Sequence, residues 1–571
     1  MRSVFVTRIR IISTAVVLVA IVLIGRLYFV QIVHGDEYSE RADHQYARPQ
    51  EGLFERGNIF FEDKDGNRAY AATLKSGFTL AINPTKIDDP ETLYDVLADI
   101  VTLDRDEFFI HTAKSDDPYE VIAHELSRED ADAVVALELP GVGLYKEQWR
   151  YYPGRDLAAQ TIGFVAFDDD MLTGRYGLER YYNDVLSRDV DTTYVNFFAE
   201  VFSNIGEILD AKDARQGDVV ATIEPTVQAA LEKALREVRS EWQSTSVGGI
   251  VINPKTGEVY ALAVNPTLDL NNFQDEPNLA VFGNPLVEGV FEMGSIMKPI
   301  TMAAGLDAGA VTPFTTYDDK GYLVLDDGNA RISNFDGKGR GVVNMQRVLG
   351  ESLNTGAAFV VNRMGNNTFA EYLQKFGLGE ETGIDLPGEV RGFLDNLNSP
   401  RDVEYTTAAF GQGIALTPIA TVRALAALGN GGYLISPHIV KRVEYDVGPA
   451  RKVFYNPSEQ VVTKETSEEI TRMLVNVVDE YLLGGTVKLE HYSVAAKTGT
   501  AQIPNPATGE YYDDRFFHSF FGYFPAYDPQ FLVFLYNDQP VGARYASQTL
   551  THPFINLAKF LISYYEVPPD R

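Results

Sequence analysis

The chain has 571 residues, too many for a single hydrophobic core, so two or three domains are expected. It carries 80 acidic against 49 basic residues, and the net charge of −31 argues against binding nucleic acid through phosphates. It contains no cysteine, which excludes disulfides, thiolate metal sites and cysteine nucleophiles. Its eight histidines show none of the H-x-x-x-H spacing of a helical zinc site, so neither a metal nor another cofactor is expected.

The N-terminal region predicts a membrane anchor. Residues 11–33 are long and apolar enough to cross a bilayer, which needs about 20 such residues. Residues 1–10 are basic and the flank after the apolar run is acidic, so the tail is expected in the cytoplasm and the rest of the chain outside. The alternative is a cleaved signal peptide, but no small-x-small cleavage site follows the apolar run.

Residues 40–240 are expected to form a non-catalytic module. Within it, the alternation of GFTLAIN (77–83) predicts a strand, and the spacing of residues 89–103 predicts a helix with an acidic first turn. Residues 222–238 predict a second helix with Pro225 near its start.

The composition changes near residue 245, and residues 245–565 are expected to form a second domain. Residues 247–266 alternate around NPKTG and predict a β-hairpin. Three helical stretches follow, and the third is expected to end on a glycine cap. Strands return near the C-terminus. The best architecture is an antiparallel sheet flanked by helices, α/β (α+β) in composition. The helical stretches are 295–309, 344–364 and 417–432, and the strands are 491–504, 516–526 and 530–538.

Ser295 and Lys298 stand three positions apart in the apolar run FEMGSIMKPI. A lysine on a buried helical face is costly unless it is paired or deprotonated. Residues i and i+3 share a helix face, so the amine is predicted to reach the hydroxyl. The S-x-x-K pattern alone is weak, because one or two chance matches are expected in a chain of this length.

Two further motifs make the pattern specific. Ser352 and Asn354 form S-x-N, and Lys497-Thr498-Gly499-Thr500 forms K-T-G-T inside an apolar strand. A second K-T-G begins at Lys255, but it follows Asn-Pro in the predicted turn, so we assign this lysine to turn geometry and solvent.

These residue types suffice for nucleophilic catalysis without histidine. An apolar enclosure and a second cation, Lys497, would lower the pKa of Lys298, whose neutral amine could then take the Ser295 proton. Ser352 could relay that proton to a leaving amine. The backbone N–H groups of Ser295 and Thr500 are the candidate oxyanion donors.

The K-T-G-T strand is the predicted binding element for a carboxylate end of the substrate. Lys497 is expected to stay charged, and the Thr498 and Thr500 hydroxyls would help it to hold the carboxylate. Gly499 belongs to the same surface, where small residues let a substrate approach the strand edge. Asn354 is expected to bind a peptide amide of the substrate.

Purely structural interpretations compete with these roles. Ser295 could be a helix N-cap, and Ser352 and Asn354 could only cap a helix. Gln412, between two glycines, is interpreted as structural. The aromatic residues after the K-T-G-T strand could line a cleft or belong to the core. They are Tyr511, Tyr512 and Phe516.

The three motifs, in this order, resemble those of the penicillin-binding proteins and serine β-lactamases. The chain is most similar to class B penicillin-binding proteins, closest to the division-type branch. FEMGSIMKPITMAAGLDAG resembles the active-site helix of that family, with Met293 where a proline is usual. The segments ERGNIFFEDKDGN, RYYPG and GLERYYNDVL resemble its N-terminal pedestal, or dimerisation-type, module. Thr222-Ile223-Glu224 replaces the commoner T-I-D, a change expected to be harmless.

The resemblance implies a penicillin-sensitive D,D-transpeptidase that cross-links peptidoglycan stem peptides through a serine ester. It also implies a penicillin-binding transpeptidase fold and inhibition by β-lactams. The partners that it implies are a SEDS-type glycan polymerase and proteins of division or elongation. Septation and elongation both remain open. The alternatives are a class A bifunctional enzyme, a β-lactamase or β-lactam receptor, and a division-complex scaffold with a vestigial site.

Overall fold

The structure is a computed structural model, which describes residues 54–114, 117–168, 171–188, 216–328, 330–446, 449–453 and 459–571. The predicted tail at 1–10 and the predicted anchor at 11–33 lie outside the described residues. Within the described ranges, no helix has both the length and the hydrophobicity required to span a bilayer.

The strands are β1 Ile59–Glu62, β2 Arg68–Ile82, β3 Glu120–Leu126, β4 Val142–Tyr151, β5 Val165–Asp168, β6 Met171–Gly174, β7 Gly217–Ala221, β8 Ser246–Ile252, β9 Val259–Asn265, β10 Thr316–Asp319, β11 Tyr322–Leu325, β12 Ala330–Ser333, β13 Gly341–Asn344, β14 Val440–Tyr445, β15 Arg451–Lys452, β16 Ala495–Pro504, β17 Tyr511–Phe524 and β18 Phe531–Asp538.

The α-helices are α1 Pro90–Ala98, α2 Arg105–Thr112, α3 Arg128–Val135, α4 Ala159–Ile162, α5 Gly177–Tyr181, α6 Asn183–Leu186, α7 Pro225–Trp242, α8 Pro285–Glu288, α9 Lys298–Asp307, α10 Met345–Gly350, α11 Asn354–Met364, α12 Asn366–Lys375, α13 Asp402–Ala408, α14 Pro418–Ala426, α15 Lys464–Asn476, α16 Ala546–Thr549 and α17 Thr551–Tyr564. Short 3-10 helices include Gly294–Met297, directly before α9.

The described residues form two compact units. The smaller unit contains Leu74–Arg150, and the larger contains Gly57–Thr73, Tyr151–Arg188 and the described residues from 216 to the C-terminus. Strand β2 contributes residues to both units.

In the smaller unit, the predicted strand at 77–83 forms the C-terminal half of β2, which pairs antiparallel with β3. Helix α1 begins as predicted, with Asp89 accepting a hydrogen bond from the N–H of Thr92 at 3.3 Å. It ends at Ala98, however, so the prediction of helix as far as residue 103 is wrong. The apolar residues beyond Ala98 have irregular backbone, but their side chains still pack against the core of this unit. Because they face the core, their spacing in the sequence resembles that of a helix.

The larger unit is built on the five-stranded antiparallel sheet β16-β17-β18-β8-β9, which confirms the predicted sheet flanked by helices. Both faces of this sheet are buried. Along β18, Val533 and Leu535 pack in the cluster that contains α7 and α17, whereas Leu532 and Phe534 pack in the cluster that contains α9. A strand buried on both faces reads as a continuous apolar run, as FLVFLY does here.

Helix α7 confirms the predicted helix and its Pro225 start. In the T-I-E sequence, Glu224 is the N-cap of α7, and its carboxylate accepts a hydrogen bond from the N–H of Val227 at 2.6 Å. The same carboxylate accepts a hydrogen bond from the hydroxyl of Tyr564 in α17 at 2.8 Å. Glutamate therefore serves as a cap at this position, where Asp is commoner.

Helix α14 ends earlier than predicted. Its C-cap is Ala427 in right-handed conformation, so the expectation of a glycine cap is wrong. Gly431 and Gly432 have positive φ and lie in the turn that follows, where Gly432 packs against the backbone of Val462. The glycines are needed for the turn, not for helix termination.

Candidate active site

Ser295 lies in the short 3-10 helix Gly294–Met297, which leads into α9. The N-cap of this 3-10 helix is Met293 and that of α9 is Met297, so the interpretation of Ser295 as an N-cap is wrong. Helix α9 is buried on every side, and Ile300, Ala303 and Ala304 belong to the core of the larger unit. Burial fixes the start of this helix and with it the position of Ser295.

Gly294 is enclosed by two other backbone segments. It has φ +63°, and a Cβ atom at this position would lie 2.7 Å from the carbonyl oxygen of Thr500. Its N–H donates to the carbonyl of Gly411 at 3.0 Å, and a Cβ atom on Gly411 would overlap the carbonyl oxygen of Gly294. Glycine at both positions lets the segment before Ser295 pack directly on β16 and on the loop at 410–413.

Met293, which stands where the resembled family has a proline, is fully buried. Its φ of −77° lies within the range of proline, so methionine preserves the start of the 3-10 helix. Its carbonyl accepts a hydrogen bond from Ser519 Oγ at 2.8 Å, which ties the segment to β17.

Lys298 is 1% exposed, and its amine has three acceptors around it. Nζ donates to the Ser352 carbonyl at 2.6 Å and to Asn354 Oδ1 at 2.8 Å, and it lies 3.1 Å from Ser352 Oγ. It also lies 5.9 Å from the ring centroid of Phe410. Burial, and secondly the positive charge of Lys497, hold the pKa of Lys298 well below its usual value.

Ser352 occupies the break between α10 and α11, so the helical stretch predicted at 344–364 is two helices. Its backbone has φ +55°, a conformation that is unusual for a residue other than glycine. This conformation brings both its carbonyl and its hydroxyl to Lys298. The N-cap of α11 is Leu353, without a side-chain hydrogen bond, so the alternative that Ser352 and Asn354 only cap this helix is wrong.

Asn354 is the first residue of α11 and is held at both ends of its amide. Oδ1 accepts from Lys298, and Nδ2 donates to the Ser333 carbonyl at 2.9 Å. An amide nitrogen carries two hydrogens, and among the described residues only the Ser333 carbonyl accepts from Nδ2. The predicted bond to a substrate amide therefore stays a prediction, and orientation of Lys298 is the role visible here.

A buried polar network fixes the start of α11 behind the S-x-N motif. Thr355 Oγ1 donates to Asp319 Oδ1 at 2.8 Å, and the Thr355 N–H donates to Asn334 Oδ1 at 3.2 Å. Asn334 in turn donates to Asp319 Oδ2 at 3.0 Å. All three side chains are buried, and their mutual satisfaction makes the position of the motif rigid.

The K-T-G-T motif lies on β16, at the edge of the five-stranded sheet. Lys497 is buried, and its Nζ donates to Ser352 Oγ at 3.0 Å and to the Thr498 carbonyl at 3.1 Å. Burial lowers the pKa of Lys497 to about 7. Gly499 allows Met293 to approach, since a Cβ atom there would lie 2.6 Å from the Met293 carbonyl oxygen. Thr500 Oγ1 accepts a hydrogen bond from the N–H of Ala546 at 3.0 Å.

Lys255, in the other K-T-G, lies in the turn between β8 and β9, as predicted. Its amine forms an ion pair with Asp528 at the surface, and it does not line the cleft that contains Ser295.

The motifs converge on one cleft of about 720 Å³ within the larger unit. Among the described residues, no hydrogen bond joins Ser295 Oγ to Lys298, whose amine contacts Ser352 and Asn354 instead. Such contacts commonly tighten only when substrate is bound. The predicted site residues that line the cleft are Ser295, Ser352, Asn354, Lys497, Thr498 and Thr500.

Of the residues with open interpretations, Gln412 and Phe516 line the cleft, whereas Tyr511 and Tyr512 do not. Tyr511 donates from its hydroxyl to Glu292, a residue that sequence reasoning missed. Glu292 also accepts from the N–H of Gly413 at 3.0 Å, and burial raises its pKa to about 7. The Glu292 side chain thus connects the loop at 410–413 to the segment that contains Ser295 through a hydrogen bond. In the sequence, the one local feature that could have pointed to Glu292 as a site residue is its position three residues before Ser295.

Other missed residues form the outer wall of the cleft. Phe335 contacts Tyr545 edge to face, with ring centroids 5.8 Å apart, and both line the cleft together with Arg331 and Arg544. They come from segments about 200 positions apart, so no sequence pattern could have joined them. No group of three or more His, Asp or Glu side chains in the described ranges is arranged to hold a metal ion.

Comparison with known proteins gives two family matches. Residues 247–557 match the penicillin binding protein transpeptidase domain, and residues 54–222 match the penicillin-binding protein dimerisation domain. Stage V sporulation protein D of Bacillus subtilis is 30% identical over 547 residues, which cover 94% of this chain and 82% of that protein. Peptidoglycan D,D-transpeptidase FtsI of Escherichia coli is 25% identical over 573 residues, which cover 96% and 90%.

Among solved structures, penicillin binding protein 3 of Mycobacterium tuberculosis in complex with aztreonam is similar, with a TM-score of 0.68 and 23% identity. The match covers 91% of this chain and 98% of that one. At 23% identity, this similarity shows the fold of the chain and nothing about its function.

Proposed function

Because this chain belongs to the penicillin-binding protein transpeptidase family, as a class B member, we propose that its acyl transfer proceeds through Ser295. The chain is a penicillin-sensitive serine acyltransferase that cross-links peptidoglycan in cell-wall synthesis. The resemblance of the three motifs to that family is therefore confirmed, and the assignment of individual residues is the proposal.

In the first step, Ser295 Oγ attacks the carbonyl of the penultimate D-Ala of a stem peptide. Lys298, as a neutral amine, takes the hydroxyl proton, and an ester replaces the peptide bond. Ser352 Oγ lies 3.1 Å from the Lys298 amine and can pass that proton to the departing D-Ala amine. In the second step, the amine of a neighbouring stem peptide attacks the ester and loses a proton to the neutral Lys298 amine. The new peptide bond replaces the ester, and Ser295 Oγ leaves and takes that proton back.

One observation carries this assignment: Ser352 Oγ lies between the amines of Lys298 and Lys497 in the cleft that contains Ser295. Two lysines in hydrogen-bond contact with one hydroxyl cannot both remain charged without a large electrostatic cost. Burial and the charge of Lys497 both lower the pKa of Lys298, whereas burial is the cause that lowers the pKa of Lys497. Lys298 is therefore the neutral base, and Lys497 carries the proton.

Binding of the substrate end is assigned to β16. The charged form of Lys497 and the hydroxyls of Thr498 and Thr500 would hold the terminal carboxylate of D-Ala-D-Ala. A bound carboxylate would also favour the charged form of Lys497. The backbone N–H groups of Ser295 and Thr500 would stabilise the oxyanion. The close packing of Gly294 on Thr500 supports this pairing of donors.

For the rest of the chain we propose the domain order expected from the sequence. Residues 1–10 form a cytoplasmic tail, 11–33 the anchor, 40–240 the pedestal and 245–565 an extracytoplasmic transpeptidase domain. The glycan strand would come from a separate SEDS-type polymerase, and the chain would act with other proteins of division or elongation. The relatives named for sporulation and for peptidoglycan transpeptidation support a role in one of these processes.

The test is intact-mass analysis of the full-length protein after treatment with penicillin, followed by peptide mapping of the adduct. We expect one stable adduct on Ser295 and none on Ser295→Ala. Lys497→Ala should lose acylation and Lys255→Ala, the matched change in the surface K-T-G, should not. Labelling of Ser295→Ala at the wild-type rate would contradict the proposal, and rapid turnover of the adduct would favour the β-lactamase alternative.

A further inference from the structure

The cleft contains two arginines that have no acidic partner. Arg331 and Arg544 both line it, and among the residues that the structure describes neither forms an ion pair with a carboxylate. A third arginine of the cleft, Arg340, is neutralised by Asp336 and Glu351 at 2.9 and 2.8 Å. In a chain of net charge −31, two unpaired guanidinium groups at one cleft are a specific local feature.

An aromatic ring lies beside each guanidinium group, and neither group donates a hydrogen bond to any residue that the structure describes. Arg331 stacks over Tyr322, 4.2 Å from the ring centroid, and Arg544 lies 5.7 Å from the centroid of Tyr545. Stacking restricts the side chains without using their hydrogen-bond donors. A restrained arginine with free donors is suited to bidentate binding of a carboxylate.

The backbone connects each arginine to a catalytic motif. Arg331 is two residues before Ser333, whose carbonyl accepts from Asn354. Arg544 is two residues before Ala546, whose N–H donates to Thr500 Oγ1.

The Phe335–Tyr545 ring contact joins these two segments. Both arginines therefore border one part of the cleft, next to the groups that bind the reacting peptide.

We propose that Arg331 and Arg544 bind a second carboxylate of the substrate, one in the body of a stem peptide and distinct from the terminal carboxylate assigned to Lys497. This proposal rests on the proposed function. A stem peptide can carry an acidic residue between its sugar and its D-Ala-D-Ala end. Lys497 would then bind the terminal carboxylate, and Arg331 and Arg544 would bind the carboxylate of the acidic residue. The carboxylate can belong to the donor peptide or to the acceptor peptide, and the two cases are separable by experiment.

The experiment uses the full-length protein in detergent micelles and two matched peptide pairs. In each pair the body residue is either a free carboxylate or its carboxamide. The donor pair ends in D-Ala-D-Ala, and release of D-Ala is measured. The acceptor pair carries a free amine, and cross-linked product is measured at a fixed concentration of one donor. The quantity of interest is the carboxylate-to-amide rate ratio within each protein variant, which a general loss of activity does not change.

We expect wild type to prefer the carboxylate by on the order of tenfold in one of the two measurements, because hydrogen bonds to a charged group are the stronger ones. The Arg331→Gln/Arg544→Gln double variant should have a ratio near one, and Arg331→Glu should invert the preference. Arg515→Gln is the matched control, since Arg515 stacks over Tyr512 at 4.2 Å but does not line the cleft. Its ratio should remain that of wild type.

A preference in D-Ala release assigns the carboxylate to the donor, and a preference in cross-linking alone assigns it to the acceptor. A wild-type ratio near one in both measurements, or an unchanged ratio in the double variant, would overturn the proposal. Failure of the proposed function is distinguishable, because penicillin would then leave Ser295 of the wild-type protein unmodified.

Discussion

The side chains of Lys298 and Lys497 meet at a single oxygen atom: Ser352 Oγ lies 3.1 Å from the first amine and 3.0 Å from the second. Two amines at one hydroxyl disfavour the charged form of both lysines at once. The charge of Lys497 adds to burial in lowering the pKa of Lys298. This is the basis on which we propose that Lys298 is the base and Lys497 the cation.

Removal of the Ser352 hydroxyl should break the proton path while leaving the fold intact. Glycine tolerates the φ of +55° at this position, so Ser352→Gly isolates the loss of the hydroxyl. We expect the second-order rate constant of penicillin acylation to fall by about 10²- to 10⁴-fold. Ser352→Ala should show the same loss with a somewhat lower unfolding temperature. Acylation within threefold of wild type in both variants would exclude Ser352 from proton transfer.

The charge of Lys497 should control the alkaline limb of acylation. Its pKa is lowered to about 7, so the free enzyme loses this charge, and its hold on the carboxylate of penicillin, as pH rises above about 7. Lys497→Arg keeps the charge at all accessible pH values. The variant should acylate more slowly overall but without the decline between pH 7 and 9. Acylation rates of both proteins measured from pH 6 to 9 check this, and parallel declines would contradict it.

Packing of Gly411 on Gly294 should be required for the position of Ser295. In Gly411→Ala the added methyl group would overlap the Gly294 carbonyl, and the displaced segment carries Ser295 with it. We expect at least a tenfold loss of penicillin acylation, because shifts of about 1 Å can cost 10²-fold in rate. Gly309→Ala is the control: Gly309 has φ +64° but no atom within 4 Å of the added methyl group. It should lose about 1 kcal/mol of stability and keep its acylation rate.

Glu292 should make the stability of the protein depend on pH near neutrality. Burial raises its pKa to about 7, so its contribution to stability is fully present below its unfolded pKa, near 4.5, and is lost as pH rises through about 7. Glu292→Gln keeps the acceptor for Gly413 but cannot ionise. The free energy of unfolding of wild type relative to this variant should fall by about 2 kcal/mol from pH 4.5 to pH 8.

Urea unfolding of both proteins across this pH range measures the difference for Glu292. Curves that run parallel over the whole range would show that this carboxyl group does not titrate differently in the folded protein.

The sequence predicted the larger sheet and its helices well, because local periodicity carries that information. Alternation identified the hairpin of β8 and β9, and apolar runs near the C-terminus identified β16, β17 and β18. The turn position of Lys255 followed from its Asn-Pro neighbours. The helix predicted at 89–103 is shorter in the structure, and the glycine cap predicted for α14 is absent because Ala427 is its C-cap. At 89–103 the apolar residues beyond the helix pack against the core, and after α14 the glycines form a turn. Local sequence patterns do not distinguish these roles from helix formation and helix capping.

The sequence by itself determined which reactive groups this protein has and in which order they occur. Only the tertiary structure decided that the hydroxyl at 352 separates the amines at 298 and 497, and that Gly294 packs against Thr500 and Gly411. It also decided that Arg331 and Arg544, which have no ion-pair partner in the part of the chain that the structure describes, border the same cleft. The physical reason is separation along the chain. These groups are between about 50 and 200 residues apart, and both their distances and their pKa values are set by the packing of the whole core around them.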